Sequence, residues 1–187
     1  FIASRNQVDA DEFGGGYVCN WNQERFAADI RSVAVETGYD GLYYLCRDHG
    51  GPWQRDKERN SHLPEAEAMA LGKKSYLIDL IYGFDLLHID PTKDPYVVGK
   101  VIDMDVNIRR TVELIEYVEK ERAARGPPDI SYEVGTEETN GGLTSSENYE
   151  VFIQRLTAAL DEKNLPHPAF IVGNTGTLTR LTENVGH

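Results

Sequence analysis

Five short apolar runs divide this chain at near-regular intervals, at residues 1 to 4, 42 to 46, 85 to 90, 129 to 134 and 168 to 173, and a stretch with helical spacing lies between each pair. Strands that alternate with helices are joined by right-handed crossovers, and such crossovers build a parallel sheet. An open doubly wound sheet gathers its ionisable groups at one switch point, whereas a barrel presents them at every strand end. Here every run ends in polar or ionisable residues, which favours a TIM (β/α)8 barrel. A complete barrel takes roughly 200 residues or more, and this chain has 187. The expectation is one barrel domain over residues 1–187, with about five β/α units, incomplete at both ends and entered in mid-fold at Phe1 to Ser4.

The intervals are read as follows. Asn20 with Gln23 resembles a capping box ahead of Phe26, Ile30, Val33 and Ala34, and Gly38 stops that helix. A second helix is predicted from Pro64 to about Tyr82, with Met69, Tyr76, Leu77 and Leu80 inward. Val106, Ile108, Val112, Ile115 and Val118 mark a long helix from Asp103 to Arg125, stopped by Gly126-Pro127-Pro128. Ser145 or Ser146 caps a last helix through Phe152, Ile153, Leu156 and Leu160. Residues Gln54 to Leu63 read as a polar loop too charged to bury, and Asp11 to Gly16 as a glycine loop open to close backbone approach.

Charge and cysteine usage narrow the function classes. A formal charge of -12 repels phosphate backbones, so nucleic acid is not an expected partner. No apolar run approaches a membrane span of about 18 residues, so no membrane is expected either. Cys19 and Cys46 follow no metal-knuckle spacing and are too few for a secreted disulfide framework, which points to the reducing cytoplasm.

The strand ends carry the chemistry. Leu42 to Cys46 runs into Asp48-His49-Gly50-Gly51-Pro52; the next run ends in His88-Ile89-Asp90; the next in Glu133-Val134-Gly135-Thr136-Glu137; the last in Gly173-Asn174-Thr175-Gly176. Asp48 and His49 point to opposite sides of a continuing strand, but a turn at Gly50-Gly51 lets both face one cavity. A neutral imidazole is a suitable zinc ligand, and a nearby carboxylate moves a hydroxyl proton. His88, inside an apolar run, reads first as a hydrogen-bonded core histidine or one standing behind a ligand. The glycine loop after residue 173 either cradles a phosphate or is a turn. His62 and His167 read as surface residues, and Trp53 and Tyr17 as sugar-pocket walls or packing.

Taken together, Ser4-Arg5-Asn6-Gln7-Val8 with Phe13-Gly14-Gly15, Asp48-His49-Gly50-Gly51-Pro52, Lys74-Ser75, His88-Ile89-Asp90, and Ser131 to Glu137 with Gly141-Gly142 resemble the ordered motifs of the tagatose-bisphosphate aldolase accessory-subunit family. That family is related to the metal-dependent class II aldolases, and its members also carry a tagatose 6-phosphate kinase label. The resemblance implies a TIM barrel of ketose-phosphate metabolism, with a divalent metal, zinc in the related aldolases. By the same resemblance His49 and Glu133 are the candidate metal ligands, and Asp48 and Glu137 the candidate catalytic carboxylates. Asn6, Gln7, Asp90, Gly173, Asn174 and Thr175 are the candidate substrate-binding residues.

Asn174-Thr175-Gly176 stands where an aldolase would offer another histidine, so Glu133, Glu137, His187 or residues outside the chain must complete a metal site. No Gly-x-x-x-x-Gly-Lys-Ser/Thr sequence occurs, and the kinase label has no support in these residues. The expected function is a lyase-type aldolase subunit acting on a ketose or its phosphate. The alternatives are a metal-dependent ketose epimerase and a non-catalytic barrel that stabilises a catalytic aldolase subunit. Uncovered strand edges point to a homo-oligomer.

Overall fold

The five apolar runs meet in one parallel sheet. In the computed structural model, which describes residues 1–98, 101–126, 128–136, 145–173, 177–179 and 184–186, the strands are β1 (Ile2–Ser4), β2 (Cys46–Gly50), β3 (Leu86–Ile89), β4 (Ser131–Gly135) and β5 (Phe170–Val172). They lie in the order β1-β2-β3-β4-β5, every neighbouring pair parallel, with no reversal of direction along the order. Successive right-handed crossovers in that order place their helices on a single face. The fold is thus α/β with a five-stranded parallel sheet, and an open doubly wound order is excluded for these strands. A separate antiparallel pair, β6 (Thr177–Thr179) and β7 (Asn184–Gly186), follows where the sequence suggested only a loop.

Local chemistry sets the helices α1 (Gln23–Glu36), α2 (Asp56–Asn60), α3 (Glu65–Ile81), α4 (Met104–Arg125) and α5 (Ser146–Glu162). Asn22, not Asn20, caps α1, accepting from the Arg25 N–H at 2.9 Å; Asn20 instead takes a positive φ of 54° in the preceding turn. Asp103 caps α4 and Ser145 caps α5, each through its side-chain oxygen, and Gly126 closes α4 in the left-handed conformation. No described helix is long and apolar enough to cross a membrane. Alternation then fixes the two sheet faces. Leu87, Ile89, Tyr132 and Val134 are buried on the helix side, in one core with Met69, Leu80, Leu114, Ile115 and Leu156. Residues of the opposite parity, among them Asp48, His88 and Glu133, face away from the helices.

Two sequence readings are corrected here. The second strand begins at Cys46 rather than Leu42, because its ladder starts only where Cys46 meets Leu86. Leu42 is exposed, and Tyr39, Tyr43 and Phe1 pack on one another outside the sheet. The stretch from Gln54 to Leu63 is not a solvated loop. It contains α2, and Glu58 is buried because its carboxylate takes two hydrogen bonds from the buried Arg5 guanidinium, at 2.7 and 3.0 Å. Trp53 beside it is fully buried, donating to the Leu63 carbonyl, with the Arg110 guanidinium 4.8 Å from its ring centre. Its role is packing, while Tyr17 stands in solvent.

Charge is also buried at the middle of β2. Arg47 reaches Asp79 of α3 through two bonds of 2.6 and 2.9 Å, and it donates to the carbonyls of Ala3 and Val8 at 3.0 and 2.8 Å. Burial works against its charge, but Asp79 outweighs burial and keeps the guanidinium protonated. Just past the strand, Gly51 has φ +119°, and Gly72 of α3 lies so near that a methyl group there would stand 2.8 Å from the Gly51 carbonyl carbon. The bend at Gly51 is thereby pressed onto α3. Arg47→Ala should cost about 3–5 kcal/mol in urea unfolding by stranding Asp79, whereas Arg47→Leu combined with Asp79→Leu should cost less than Arg47→Ala alone. An equal or larger loss in the double variant would show that packing, not charge pairing, holds β2 to α3.

Candidate functional site

An irregularity in β2 builds the site. Arg47 pairs with Leu87 and Gly50 pairs with Ile89, so two residues of β2, Asp48 and His49, stand opposite the single residue His88 of β3. This is a β-bulge, and it re-aims side chains that a regular strand would send to opposite faces. His49 carries the distortion, with φ of 41°. The strand continues through Gly50 and bends only at Gly51, with the turn at Pro52-Trp53, so it is the bulge, not a Gly50-Gly51 turn, that brings Asp48 and His49 together.

Three donors result. Asp48 Oδ1 is 3.8 Å from His49 Nε2 and 3.8 Å from His88 Nδ1, and one ligand atom from each of the three residues falls within a 4.8 Å cluster. His88 Nδ1 accepts a long hydrogen bond from the His49 N–H, 3.3 Å, and the two rings lie 4.9 Å apart. Glu133, paired across the ladder with His88, brings Oε2 to 3.9 Å from the same Nδ1. Asp48, His49 and Glu133 are partly exposed, whereas His88 is almost wholly buried. Its Nε2 has no hydrogen-bond partner among the described residues and lies against Gly135, where a methyl group would stand 3.0 Å away.

The residues fit a divalent cation. Ligands about 2.1 Å from a tetrahedral zinc are separated by about 3.4 Å, so the two 3.8 Å gaps from Asp48, within a cluster 4.8 Å across at most, close with side-chain movements of about an ångström. Two imidazole nitrogens with carboxylate oxygens form a donor set suited to zinc. The electrostatics favour the ionised carboxylates. Asp48 lies below the usual carboxylate range, chiefly through its interaction with the neighbouring His88 3.8 Å away, with burial opposing. Burial alone would raise Asp90, but its hydrogen bond to His49, the charges of both histidines and its bond to Thr92 hold it at about 2.

The other candidates are distributed as follows. Asp90, expected to touch substrate, is fully buried, with one oxygen 2.6 Å from His49 Nδ1 and the other taken by Thr92, so it reaches any ligand only through His49. Asn6 is tied to Asp56 in both directions and to the Gln54 carbonyl, and Gln7 accepts the Ser4 N–H at 2.8 Å; both brace the end of β1. Gly173 follows β5 beside the Tyr149 ring. Glu137, Asn174, Thr175, His187 and the Gly141-Gly142 pair lie outside the described residues. Lys74 pairs with Glu12 and Ser75 donates to buried Asp9, so that motif belongs to the scaffold. His62 and His167 are exposed, as expected. His88 is buried and hydrogen-bonded, as a core histidine would be, and its Nδ1 also lies beside Asp48 in the cluster.

No protein-family model matches the chain, and no curated protein does. Among solved structures, it is similar to the crystal structure of a probable tagatose 6-phosphate kinase from Sinorhizobium meliloti, with a TM-score of 0.69 and 24% identity over 87% of this chain. The chain spans 38% of the length of that protein. At this identity the likeness is one of fold.

Asp90 also makes acid stability measurable. A carboxyl at about 2 when folded, against an ordinary 3.8, stabilises the fold fully above the ordinary value and loses that contribution as pH falls toward 2. The metal-free protein should lose about 2 kcal/mol over that window from this group. Urea midpoints recorded from about pH 5 downward should fall more steeply for wild type than for Asp90→Asn; parallel acid limbs would mean that Asp90 is not the group responsible.

Proposed function

We propose that this chain forms the metal-binding part of a (β/α)8 barrel that acts on a ketose or ketose phosphate, in carbohydrate metabolism of the tagatose-phosphate type, with lyase chemistry like that of the class II aldolases. The observation that carries the reading is the convergence of Asp48, His49 and His88 at adjacent ends of parallel strands, with Glu133 beside them. Strand ends of this kind are where parallel α/β proteins hold their reaction centres. Unreversed strand order, the motif resemblance and a structural neighbour named for a tagatose phosphate all support it.

In this reading His49 and His88 hold the cation, zinc being the best fit, and Glu133 completes its shell. A bound divalent cation supplies Lewis-acid stabilisation of the oxyanion that forms when a carbon-carbon bond beside a carbonyl breaks. Asp48, open to the cavity mouth and ionised, moves the hydroxyl proton of the substrate. Asn6 and Gln7, at the neighbouring end of β1, border the same mouth. Two unpaired cysteines accord with a cytoplasmic setting. The outer edge of β1, unpaired among the described residues, would be covered by further barrel strands or by another subunit.

One observation favours a second reading. Only two imidazoles reach the cluster among the described residues, and Asn174 stands where a related aldolase would offer another histidine. A barrel that stabilises a catalytic aldolase subunit accommodates that shortfall. Metal analysis and turnover of the full protein separate the two. His49→Ala should lower metal occupancy, and Asp48→Asn should keep the metal while losing turnover by roughly 100-fold. In the partner role, Asp48→Asn leaves the partner's rate unchanged. Full metal occupancy in His49→Ala would defeat the metal site in both readings.

A further inference from the structure

Asp90 takes no part in the cluster itself, yet it is held more firmly than any member of it. Its side chain is fully buried, and Oδ2 lies 2.6 Å from His49 Nδ1. Oδ1 accepts from both the backbone N–H and the hydroxyl of Thr92, at 3.0 and 2.5 Å. The backbone is clamped as well: the Asp90 carbonyl accepts from Gln54 Nε2 at 2.8 Å, and its N–H donates to the Gly50 carbonyl at 2.9 Å. Gly135 closes the remaining side, since a methyl group there would stand 3.2 Å from the Asp90 carboxyl carbon.

We infer that Asp90 is a positioning residue that fixes the tautomer of the neutral His49 ring, with the proton on Nδ1 and Nε2 left as a lone pair turned toward Asp48 and His88. An ionised carboxylate has only acceptors to offer, so a ring nitrogen at 2.6 Å must donate to it. A neutral imidazole with its proton on one nitrogen has its lone pair on the other, and that other nitrogen is the one 3.8 Å from Asp48. Carboxylates behind ligating histidines set ring orientation and raise basicity in this way. The use of the lone pair by a metal rests on the function proposed above; the tautomer does not.

The isosteric change Asp90→Asn tests this sharply. The two donors of Thr92 claim the amide oxygen, which turns the amide NH2 toward His49 Nδ1 and drives the ring proton to Nε2. Long-range nitrogen-proton NMR of the metal-free full chain, above the pKa of the ring, should show His49 protonated on Nδ1 in wild type and on Nε2 in Asp90→Asn. Titration with zinc alone, against a competing chelator, should give a Kd raised about 10- to 100-fold by Asp90→Asn, with no further loss when Asp90→Asn is added to His49→Ala. A purely structural role for Asp90 would lower stability but leave the tautomer unchanged.

Wild-type His49 protonated on Nε2 would overturn the inference without any variant, as would an unchanged tautomer in Asp90→Asn. The predicted tautomer switch in a protein that binds no zinc would uphold the positioning role and defeat the metal reading.

Discussion

The buried guanidinium of Arg47 is the interaction on which the rest of this structure depends. From one position in the middle of β2 it binds a carbonyl of β1, a carbonyl of the loop after β1, and the carboxylate of Asp79 on α3. Four hydrogen bonds from a single planar fork settle where β2 lies relative to its neighbour and to the helix above it. A second buried guanidinium, that of Arg5 just past β1, does the same, joining Asp9, Glu58 and the Gly51 carbonyl. Asp9 in turn accepts from Gln23 and Ser75. Buried charges with every partner in place define one arrangement, because losing any one partner leaves an uncompensated charge in the core.

That rigidity on the helix side makes the irregularity on the other side affordable. Asp48 follows Arg47 directly, and the bulge begins there. His49 at positive φ is a conformation a non-glycine residue holds only when its surroundings over-determine it. Arg47 anchors the chain before it, the Gly51 to Gly72 contact anchors the chain after it, and Asp90 grips the ring itself. The strain lies at the residue that links Asp90 to the Asp48 and His88 cluster, and the surrounding contacts maintain it.

Electrostatics and geometry agree at this point. Asp90 and Asp48 are both drawn below the usual carboxylate range by the histidines they face, so the cluster presents negative charge around two imidazoles. Such a cluster suits a cation. The same residues, with no cation, form a chain of Asp90, His49, Asp48 and His88 within hydrogen-bond or near-contact distance, and this is why removing one member should register at the others.

Much of this was legible in the sequence. Apolar runs separated by helical stretches determined five parallel strands, because period and spacing are local properties that survive folding. The start of a helix at Asp103, a serine cap at Ser145 or Ser146, and the polar character of the strand ends were equally local. The long-range pairings were not legible. Nothing in Arg47 or Glu58 as letters announces a buried ion pair, since a charged residue is buried only if a partner many positions away arrives with the right geometry. The bulge is of the same kind: Asp48 and His49 face one residue of β3 because of a register offset between two strands, and register exists only once the strands have paired. The sequence by itself determined which ionisable residues stand at the strand ends; tertiary structure alone decided that His88 joins Asp48 and His49 while Asp90 stands behind them, because that division follows from which strand lies beside which, and at what offset.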